Sequence, residues 1–592
     1  MRYLMKSSVL LLVILFMGSC EEYLDKSPES GITGEQIFTN YSNYRGFNDR
    51  LYLFLRDFHF WHPRYTPGTM ADLEQCDNDW QDVNAVTNGN YYNKPYNRAV
   101  GWLTRNISSG ASAVPGNAFK ALRIANKSIK NIDRLEDANQ EDKDHILGQA
   151  YFFRAWFNFE LIRRYGGMPY FDQVFTPDSK MDIPRETYRE CTNQIVEDCN
   201  KAVELLPEGW PQQHLGRVTV GAAMTLKGMA LLYDASPTMN NDPLDPDRNS
   251  TTYDVERVKE AASVLYDVIE LANEGVYSLE SGDNYRHIFF SRNEFVNDEA
   301  IFYRVPELYG WSSQQTTTRR PDALDWRGLY VPPTYDNGGW VSMPTQNAVD
   351  KYETENGWPI DHPNAGYDPD QPYQNRDPRF YNNILYNDAQ WGVDDEGEQL
   401  YIETYEGGRD KPENIVHPTG YFNRKYWPES GNKWQNDYNY YMNWIYFRLS
   451  GVYLYYAEAV NEGWGPDGSA PDASLTALEA VNTIRNRVNM PDVKGTFHNQ
   501  ADLRERIRNE LAVELFGEHK RWWDLRRWYE MHKPEHKTIY RMRIDKVAED
   551  SFNYTVEEME SESRVFDDKH YWYPLPKDHV EMLKNLKQNP GW

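Results

Sequence analysis

The sequence predicts a mostly α-helical protein, in which a tetratricopeptide-like α-solenoid forms a scaffold that long, irregular, loop-rich insertions interrupt. Two observations predict this fold. Apolar residues recur with helical spacing in several segments, and short turns join these segments in pairs. Between them, residues 59–117 and 276–440 are rich in Gly, Pro, Asn, Asp, Tyr and Trp, and they are too long for ordinary connections.

The helices follow one another along the chain. A first apolar stripe runs from Phe119 to Leu135 with helical spacing. The next helix should end at Gly166, because Gly-Gly-Met-Pro follows its last apolar residues and Gly and Pro terminate helices. This helix and the later ones are predicted over residues 143–165, 185–206, 217–235, 253–273, 442–462, 472–489 and 501–530.

Three of these helices resemble one another. Each mixes aromatic residues with a small residue, which is Ala155, Gly228 or Gly451, and a small residue lets a neighbouring helix come close. The pattern resembles degenerate tetratricopeptide repeats. An ordinary helical domain is the alternative that the pattern leaves open.

The composition excludes some classes of function. The 592 residues include 63 Lys and Arg against 90 Asp and Glu, which gives a formal net charge of −27. Such a charge argues against a nucleic-acid partner and against a basic membrane-surface protein. The aromatic share of 15%, with 19 Trp and 43 Tyr, calls for a role beyond core filling.

The N-terminus resembles a signal segment. Arg2 and Lys6 precede an apolar run over residues 9–17 that is too short to span a membrane. Small residues then lead to Cys20, as in bacterial lipoproteins. We expect residues 1–19 to be a lipoprotein signal peptide and Cys20 to carry the lipid anchor; a plain secretory signal is the alternative.

Little in the sequence suggests catalysis or a cofactor. No P-loop, nucleophile elbow, HExxH or dinucleotide motif occurs, so we expect neither an enzyme nor a cofactor. Calcium is possible at one Asp-rich turn that lacks the Gly and Glu of an EF-hand, and a solvated turn is the favoured interpretation. The aspartates of this turn are Asp242, Asp245 and Asp247. The cysteines Cys76, Cys191 and Cys199 should be buried small side chains.

Three segments carry a resemblance to a known family. They are RAWFNFELIRRYGGMPY (154–170), LRERIRNELAVELFGEHKRWWDLRRW (503–528) and YWYPLPKDHVEMLKNLKQNPGW (571–592). Together with Cys20, they make the chain similar to the SusD/RagB family of Bacteroidetes over nearly its whole length. The resemblance implies a helical N-terminal region at 20–275 and a C-terminal region at 276–592 with the ligand face and the final helix pairs.

The resemblance also implies a function. Such a protein would be a lipoprotein of the outer membrane that faces the cell exterior, captures glycans and acts as the lid of a SusC-like TonB-dependent transporter. A RagB-like protein that captures peptides for the same kind of importer is the alternative, and a secreted glycoside hydrolase is a third, less favoured one.

Segment 503–528 and the C-terminus have a structural interpretation. We expect Arg504, Arg506 and Arg508 to form ion pairs with Glu505 and Glu510 on one helix. Within residues 522–528, the Trp and Leu side chains should pack on a neighbouring helix, while an Arg binds an acid. The expected pairs join Arg526 or Arg527 to Asp524 or Glu518, and residues 574–576 and 588–592 should close the fold.

A sugar-binding face needs exposed aromatic rings beside polar groups, because the rings cover the apolar C–H faces of a sugar and the polar groups bind its hydroxyls. Two turn-rich segments offer this combination, although each Trp could instead belong to the core. The candidate ligand-binding residues are Asp77, Asn78 and Trp80 in the first segment and Tyr309, Trp311, Arg319, Trp326, Tyr330 and Trp340 in the second.

Overall fold

The computed structural model describes residues 34–55, 67–76, 83–92, 118–176, 178–180, 182–290, 297–305, 342–393, 396–411, 417–426 and 443–592. Its helices are α1 Gly34–Thr39, α2 Tyr41–Asp49, α3 Val83–Thr87, α4 Ala118–Asn131, α5 Gln140–Tyr165, α6 Tyr188–Leu205, α7 Val220–Ala235, α8 Val255–Asn273, α9 Gln346–Val349, α10 Pro378–Asn383, α11 Leu449–Trp464, α12 Ala477–Asn486, α13 Gln500–Glu514, α14 Arg521–Arg527, α15 Pro534–Lys537 and α16 Lys577–Met582. Helix is far more abundant than strand, which confirms the predicted fold class. In these ranges, we find no helix with the length and apolar character needed to cross a membrane.

The strands of the described ranges form five two-stranded antiparallel ladders. The strands are β1 Glu74–Gln75, β2 Ala300–Arg304, β3 Met343–Pro344, β4 Ile384–Leu385, β5 Gln390–Val393, β6 Gln399–Tyr401, β7 Phe422–Asn423, β8 Trp444–Arg448, β9 Tyr540–Ala548 and β10 Ser551–Glu558. The pairs are β1–β3, β2–β8, β4–β7, β5–β6 and β9–β10. Small ladders of this kind organise the loop-rich region without forming a continuous sheet.

The scaffold is a stack of helices. From α4 to α8, each helix packs on the next one in the chain. The stack then continues across the insertion, because α8 packs directly on α11 although residues 274–448 separate the two helices in sequence. Helix α11 in turn packs on α12 and α13. The solenoid is therefore one structure with a long excursion between two of its layers.

Capping side chains set where the solenoid helices begin. Each cap accepts a hydrogen bond from a free N–H of the first turn, and such a cap contributes about 1 kcal/mol. Helix α5 ends at Gly166, whose φ of 75° lies in the left-handed region, as its position before Pro169 predicts. The capping residues of α5, α6, α7, α8, α12 and α13 are Asn139, Thr187, Thr219, Asp254, Thr476 and Asn499.

One of the two predicted glycine contacts is confirmed. A Cβ at Gly228 would lie 2.7 Å from Cδ2 of the buried Leu265, so glycine allows α7 and α8 to approach closely. The prediction is wrong for Gly451, where the nearest atom to an added Cβ, on Leu515, is 3.8 Å away. Ordinary van der Waals contact at that distance leaves room for a methyl group.

Two of the predicted helices are not single helices. The segment 501–530 is two helices, α13 and α14, because the backbone turns at Gly517 and His519, which have φ angles of 75° and 58°. These left-handed conformations end a helix. The segment 442–462 begins with the strand β8, and its helix starts at Leu449.

The interpretation of residues 522–528 as structural is confirmed. Trp522 and Trp523 are buried, and Arg527 binds Asp524 at 2.9 Å as expected. Arg527 also donates to Glu458 on α11, with 2.6 Å between Nη2 and Oε2. These contacts fasten α14 to the solenoid.

The alternative residues named for this ion pair, Glu518 and Arg526, have other partners. Glu518 does not bind Arg526 or Arg527, since it accepts hydrogen bonds from Lys425 and Arg448. Arg526 donates instead to the backbone oxygens of residues 163 and 571.

The helical ion pairs of α13 are confirmed only in part. Arg508 binds Glu505 at 3.1 Å, within the helix. Arg504 and Arg506 instead reach other elements, because they bind Glu462 on α11 and Glu353 after α9. Pairs of this kind tie α13 to its neighbours, which ion pairs within one helix cannot do.

The C-terminal residues close the fold, as predicted. Asn589 is buried, and its side-chain amide donates to the backbone oxygens of Tyr165 (2.9 Å) and Tyr573 (2.7 Å).

In the Asp-rich turn, Asp242 accepts backbone hydrogen bonds from Tyr188 and Leu244, so it has a structural role. The three predicted buried cysteines, Cys76, Cys191 and Cys199, are free and buried.

Candidate functional site

The ladder β1–β3 joins two parts of the chain that the sequence keeps far apart. Gln75 lies opposite Met343 and Glu74 opposite Pro344. Cys76 immediately precedes residues 77–82, and Ser342 immediately follows residues 306–341. We call β1, β3, Cys76 and Ser342 the loop base. The two segments that the sequence predicts to bind ligand therefore adjoin the same ladder.

The predicted ligand-binding side chains lie outside the described residues, as does Cys20. The same is true of every candidate in both segments: Asp77, Asn78, Trp80, Tyr309, Trp311, Arg319, Trp326, Tyr330 and Trp340. The structure describes the residues that flank these segments. We call the two ladders that hold them, β1–β3 and β2–β8, the frame.

The buried carboxyl group of Glu74 links the two strands of the loop base by a hydrogen bond to Ser342. Glu74 is 3% exposed and accepts a hydrogen bond of 2.6 Å from the Ser342 hydroxyl. Asn423 on β7 donates to the backbone oxygen of Ser342 at 3.1 Å. Burial raises the pKa of Glu74, and hydrogen bonds from Ser342 and Asn423 oppose that effect. Three separate chain segments are thus joined by hydrogen bonds at one point.

Gly68 packs so closely against Glu74 that a larger residue would have to displace the buried Glu74 side chain. An added Cβ would lie 2.0 Å from Oε2 of Glu74, and the Gly68 N–H donates to Nδ1 of His519 at 3.0 Å. Because Nδ1 accepts, the neutral His519 ring carries its proton on Nε2. Burial, with a smaller effect of the neighbouring Lys520, lowers the pKa of His519 to about 3.

A second ladder ends beside the loop base. Arg304 on β2 lies opposite Trp444 on β8. The Trp444 ring stacks on the His519 ring with 5.1 Å between the ring centroids and an interplanar angle of 21°. Since His519 also binds Gly68, a short chain of contacts links the two ladders. Residues 306–341 thus leave the frame at β2 and return to it at β3.

A buried ionic cluster lies beneath these ladders. Lys425 donates to Glu518 at 2.8 Å and to the backbone oxygen of Phe516 at 2.7 Å. Burial lowers the pKa of Lys425 to about 8, although Glu518 opposes the shift. Arg448 binds Glu518 and Glu514 as well. Because these charges are buried and paired, removal of one partner would leave another charge buried without compensation.

The sequence alone did not indicate these supporting residues. Glu74, Ser342 and Asn423 are far apart in the chain and belong to no recognisable motif, and His519 lies in segment 503–528, where the sequence indicates no partner for it. The pairing of β1 with β3 and the packing of β3 on β7 bring the first three residues together, and the hydrogen bond from Gly68 adds His519. In the described part of the chain, no group of three or more His, Cys, Asp or Glu side chains is arranged to hold a metal ion.

The fold places the chain in the class of helical-solenoid proteins that carry long loops on paired strands. Comparison with known families identifies the family within that class. The family model described as "SusD family" matches residues 298–592. The model described as "Starch-binding associating with outer membrane" matches residues 113–228. Together the two models cover more than half of the chain. The chain belongs to the SusD family, as its motifs predict.

Individual relatives agree with this assignment. The SusD-like protein P2 of Formosa agariphila is 24% identical over 425 residues, which cover 70% of this chain and 71% of that protein. The SusD-like protein P38 of the same organism is 22% identical over 536 residues, which cover 88% of this chain and 90% of that protein.

Solved structures show the same fold. A SusD-like protein from Bacteroides fragilis superposes with a TM-score of 0.73 at 24% identity, over 96% of this chain and 100% of the other. The surface glycan-binding protein A from Bacteroides fluxus superposes with a TM-score of 0.57 at 20% identity, over 93% and 99% of the two chains.

Proposed function

We propose that the chain is a lipid-anchored glycan-binding protein of the outer membrane, which faces the cell exterior. It captures a polysaccharide or oligosaccharide and delivers it to a SusC-like TonB-dependent transporter, for which it acts as the lid. The observation that carries the proposal is the pairing of β1 with β3, the described strands next to the two predicted ligand-binding segments, in a chain of the SusD family.

Chain connectivity supports a common face. Asn78 is three residues from Gln75, and Trp340 is three residues from Met343, the residue opposite Gln75. A chain of three residues spans at most about 11 Å, so Asn78 and Trp340 can each lie no farther than about 11 Å from the β1–β3 ladder. Aromatic rings and polar groups from two segments could then contact one sugar chain.

The names of similar proteins support carbohydrate as the ligand class. One matching family is described as starch-binding, and one structural neighbour is named a surface glycan-binding protein. Binding without catalysis is part of the proposal. The chain would hold its glycan through stacking and hydrogen bonds and release it unchanged to the transporter.

The decisive experiment measures binding and cleavage together. The purified protein is run in affinity gels that contain neutral and charged polysaccharides, and the same mixtures are assayed for reducing sugar. Retardation by at least one polysaccharide without release of reducing sugar supports the proposal. Release of sugar would favour a hydrolase, and retention of peptide mixtures with no glycan binding would favour peptide capture.

Anchor and partner need their own tests. Cys20→Ala should abolish labelling of the protein with radioactive palmitate in cells and release it from the outer membrane. Purification of the lipidated protein from its native membrane should recover a TonB-dependent transporter. Membrane retention of Cys20→Ala would contradict the anchor, and purification without a transporter would contradict the lid role.

A further inference from the structure

The hairpin β9–β10 has one strand edge without a neighbour. In the described ranges, β9 lies between β10 on one side and two loop segments, around residues 406 and 419, on the other. Strand β10 pairs with β9 alone. None of its eight residues is buried, so the outer edge of β10 is open to solvent.

Hydrogen bonds on the loop side of β9 fix the direction of its backbone groups. The Met542 N–H donates to the backbone oxygen of Thr419 at 2.9 Å. The backbone oxygen of Ile544 accepts from the Glu406 N–H at 2.8 Å. Because residues of a strand point their N–H and C=O groups alternately to its two sides, those of Met542 and Ile544 point away from β10.

The residues of β10 that lie opposite them point toward the free edge. Tyr554 lies opposite Ile544, and Val556 lies opposite Met542. In an antiparallel pair, two opposite residues either bond to each other or both point their backbone groups outward. Tyr554 and Val556 therefore present N–H and C=O groups at the edge, where these groups have no hydrogen-bond partner among the described residues.

Little in β10 guards this edge against another strand. Lys and Pro commonly protect edge strands, and residues 551–558 contain neither. The register shifts only at the start of the strand, between Ser551 and Phe552. Val556 is 53% exposed and shares a face of the hairpin with the buried Met542, which lies opposite it. An added strand would cover Val556 and extend the apolar core.

Unpaired carboxylates flank the edge at both ends. They are exposed, and none forms an ion pair with a described residue. These residues are Glu549 and Asp550 before β10, Glu558 at its end and Glu560 after it. The carboxylates favour an occupant that carries positive charge at both ends.

The same charges disfavour a second copy of this chain as the occupant. Two β10 strands paired antiparallel about Tyr554 would bring Asp550 of one copy opposite Glu558 of the other. Like charges directly opposite each other destabilise a strand pair. The formal net charge of −27 on each chain adds to the repulsion.

We propose that the free edge of β10 binds an extended segment of another protein by β-strand addition. The segment places an apolar side chain beside Val556 and carries Lys or Arg at its ends, near the carboxylates. Main-chain hydrogen bonds to Tyr554 and Val556 give affinity, and the charges select the partner. Binding at this edge does not involve the loop base, so the proposal is independent of glycan capture.

The test is fluorescence anisotropy of a labelled peptide, KVTVTVK with blocked termini, titrated with the full chain. We expect saturable binding. The peptide EVTVTVE should bind at least about tenfold more weakly, because its Glu side chains lie near the carboxylates that flank β10. KVTVTVK with N-methyl groups on its central residues should not bind, since it cannot donate main-chain hydrogen bonds.

Two variants at one position test the edge itself. Val556→Lys should weaken binding of KVTVTVK at least about tenfold, because a Lys at the edge repels the cationic peptide. Val556→Pro removes an N–H that faces the free edge but none that bonds β9, so the hairpin should still fold while peptide binding falls. Val547→Lys is the matched control: Val547 is 57% exposed on β9 of the same hairpin, and binding should be unchanged.

Hydrogen exchange locates the peptide. Slower exchange of the Tyr554 and Val556 amides when KVTVTVK is bound supports the proposal. Absence of saturable binding, equal binding of the N-methylated peptide, or equal binding by the wild type and both Val556 variants overturns it. Equal binding of EVTVTVE overturns the basic partner. A wild-type dimer in sedimentation that Val556→Lys dissociates would also overturn the proposal and identify a second copy as the occupant.

Discussion

Arg448 and Glu518 form a bidentate ion pair in the interior of the protein. Arg448 Nη2 lies 2.7 Å from Glu518 Oε1, its Nε lies 2.9 Å from Oε2, and the two side chains are 1% and 5% exposed. Although burial raises the pKa of Glu518, Arg448 and Lys425 lower it to about 2. The pair joins strand β8 to the turn between α13 and α14, directly below the loop base.

Arg448→Met should destabilise the protein strongly. It leaves Glu518, Glu514 and Glu299 buried with too little positive charge, and removal of one partner of a buried pair costs about 3–5 kcal/mol. Denaturation by urea measures the free energy of unfolding. Arg543→Met, on the exposed hairpin, is the control and should leave that free energy nearly unchanged. Equal losses in both variants would contradict the role given to the buried cluster.

His519 should make stability depend on pH. Its pKa is about 3 in the folded protein and close to 6.5 in the unfolded chain, so the unfolded chain binds more protons between these values. Stability contributed by the neutral ring is therefore present above pH 6.5 and is lost as the pH falls. The loss from this one group between pH 7 and pH 5 is about 2 kcal/mol.

The variant His519→Asn tests that prediction, because its amide oxygen can still accept from Gly68. We expect a smaller loss of unfolding free energy between pH 7 and pH 5 than in the wild type. His498→Asn, which replaces an exposed histidine, is the control and should keep the wild-type slope. An unchanged slope in His519→Asn would show that other groups cause the dependence.

Gly228→Ala should destabilise the solenoid, whereas Gly451→Ala should not. The new methyl group at 228 meets the buried Leu265 at 2.7 Å, and overpacking of this kind costs about 1–3 kcal/mol. At 451 the methyl group has room, and alanine favours a helix over glycine by up to about 1 kcal/mol. Thermal unfolding of both variants checks the opposite signs; destabilisation of equal size would refute the close approach of α7 and α8.

Loss of an aromatic side chain at the predicted ligand face should weaken glycan binding but not the fold. Trp80→Ala or Trp311→Ala should reduce the affinity for the bound polysaccharide by about 1–3 kcal/mol, because stacking on a sugar face is lost. Affinity gels measure the effect. Trp391→Ala, which removes a buried core residue, should instead lower the melting temperature. Unchanged retention by both ligand-face variants would exclude these two residues from the site.

Helical periodicity predicted the solenoid because each apolar stripe contacts its sequence neighbour. The break at Gly517 was missed because the apolar stripe continues through it, although the left-handed conformation that glycine readily adopts ends the helix there. The loop base could not be predicted from the sequence for a different reason. Its hydrogen bonds join residues such as Glu74 and Ser342, which are 268 positions apart, and no local pattern records such a pairing.

The packing of α8 on α11 has a consequence for synthesis. A chain that emerges N-terminus first completes α8 long before α11 exists, because residues 274–448 lie between them. At about 5–20 residues per second, that interval lasts roughly 9–35 seconds. During this time the face of α8 that α11 will cover stays open to other chains. Until α11 is made, that apolar face of α8 is a surface through which the nascent protein can aggregate.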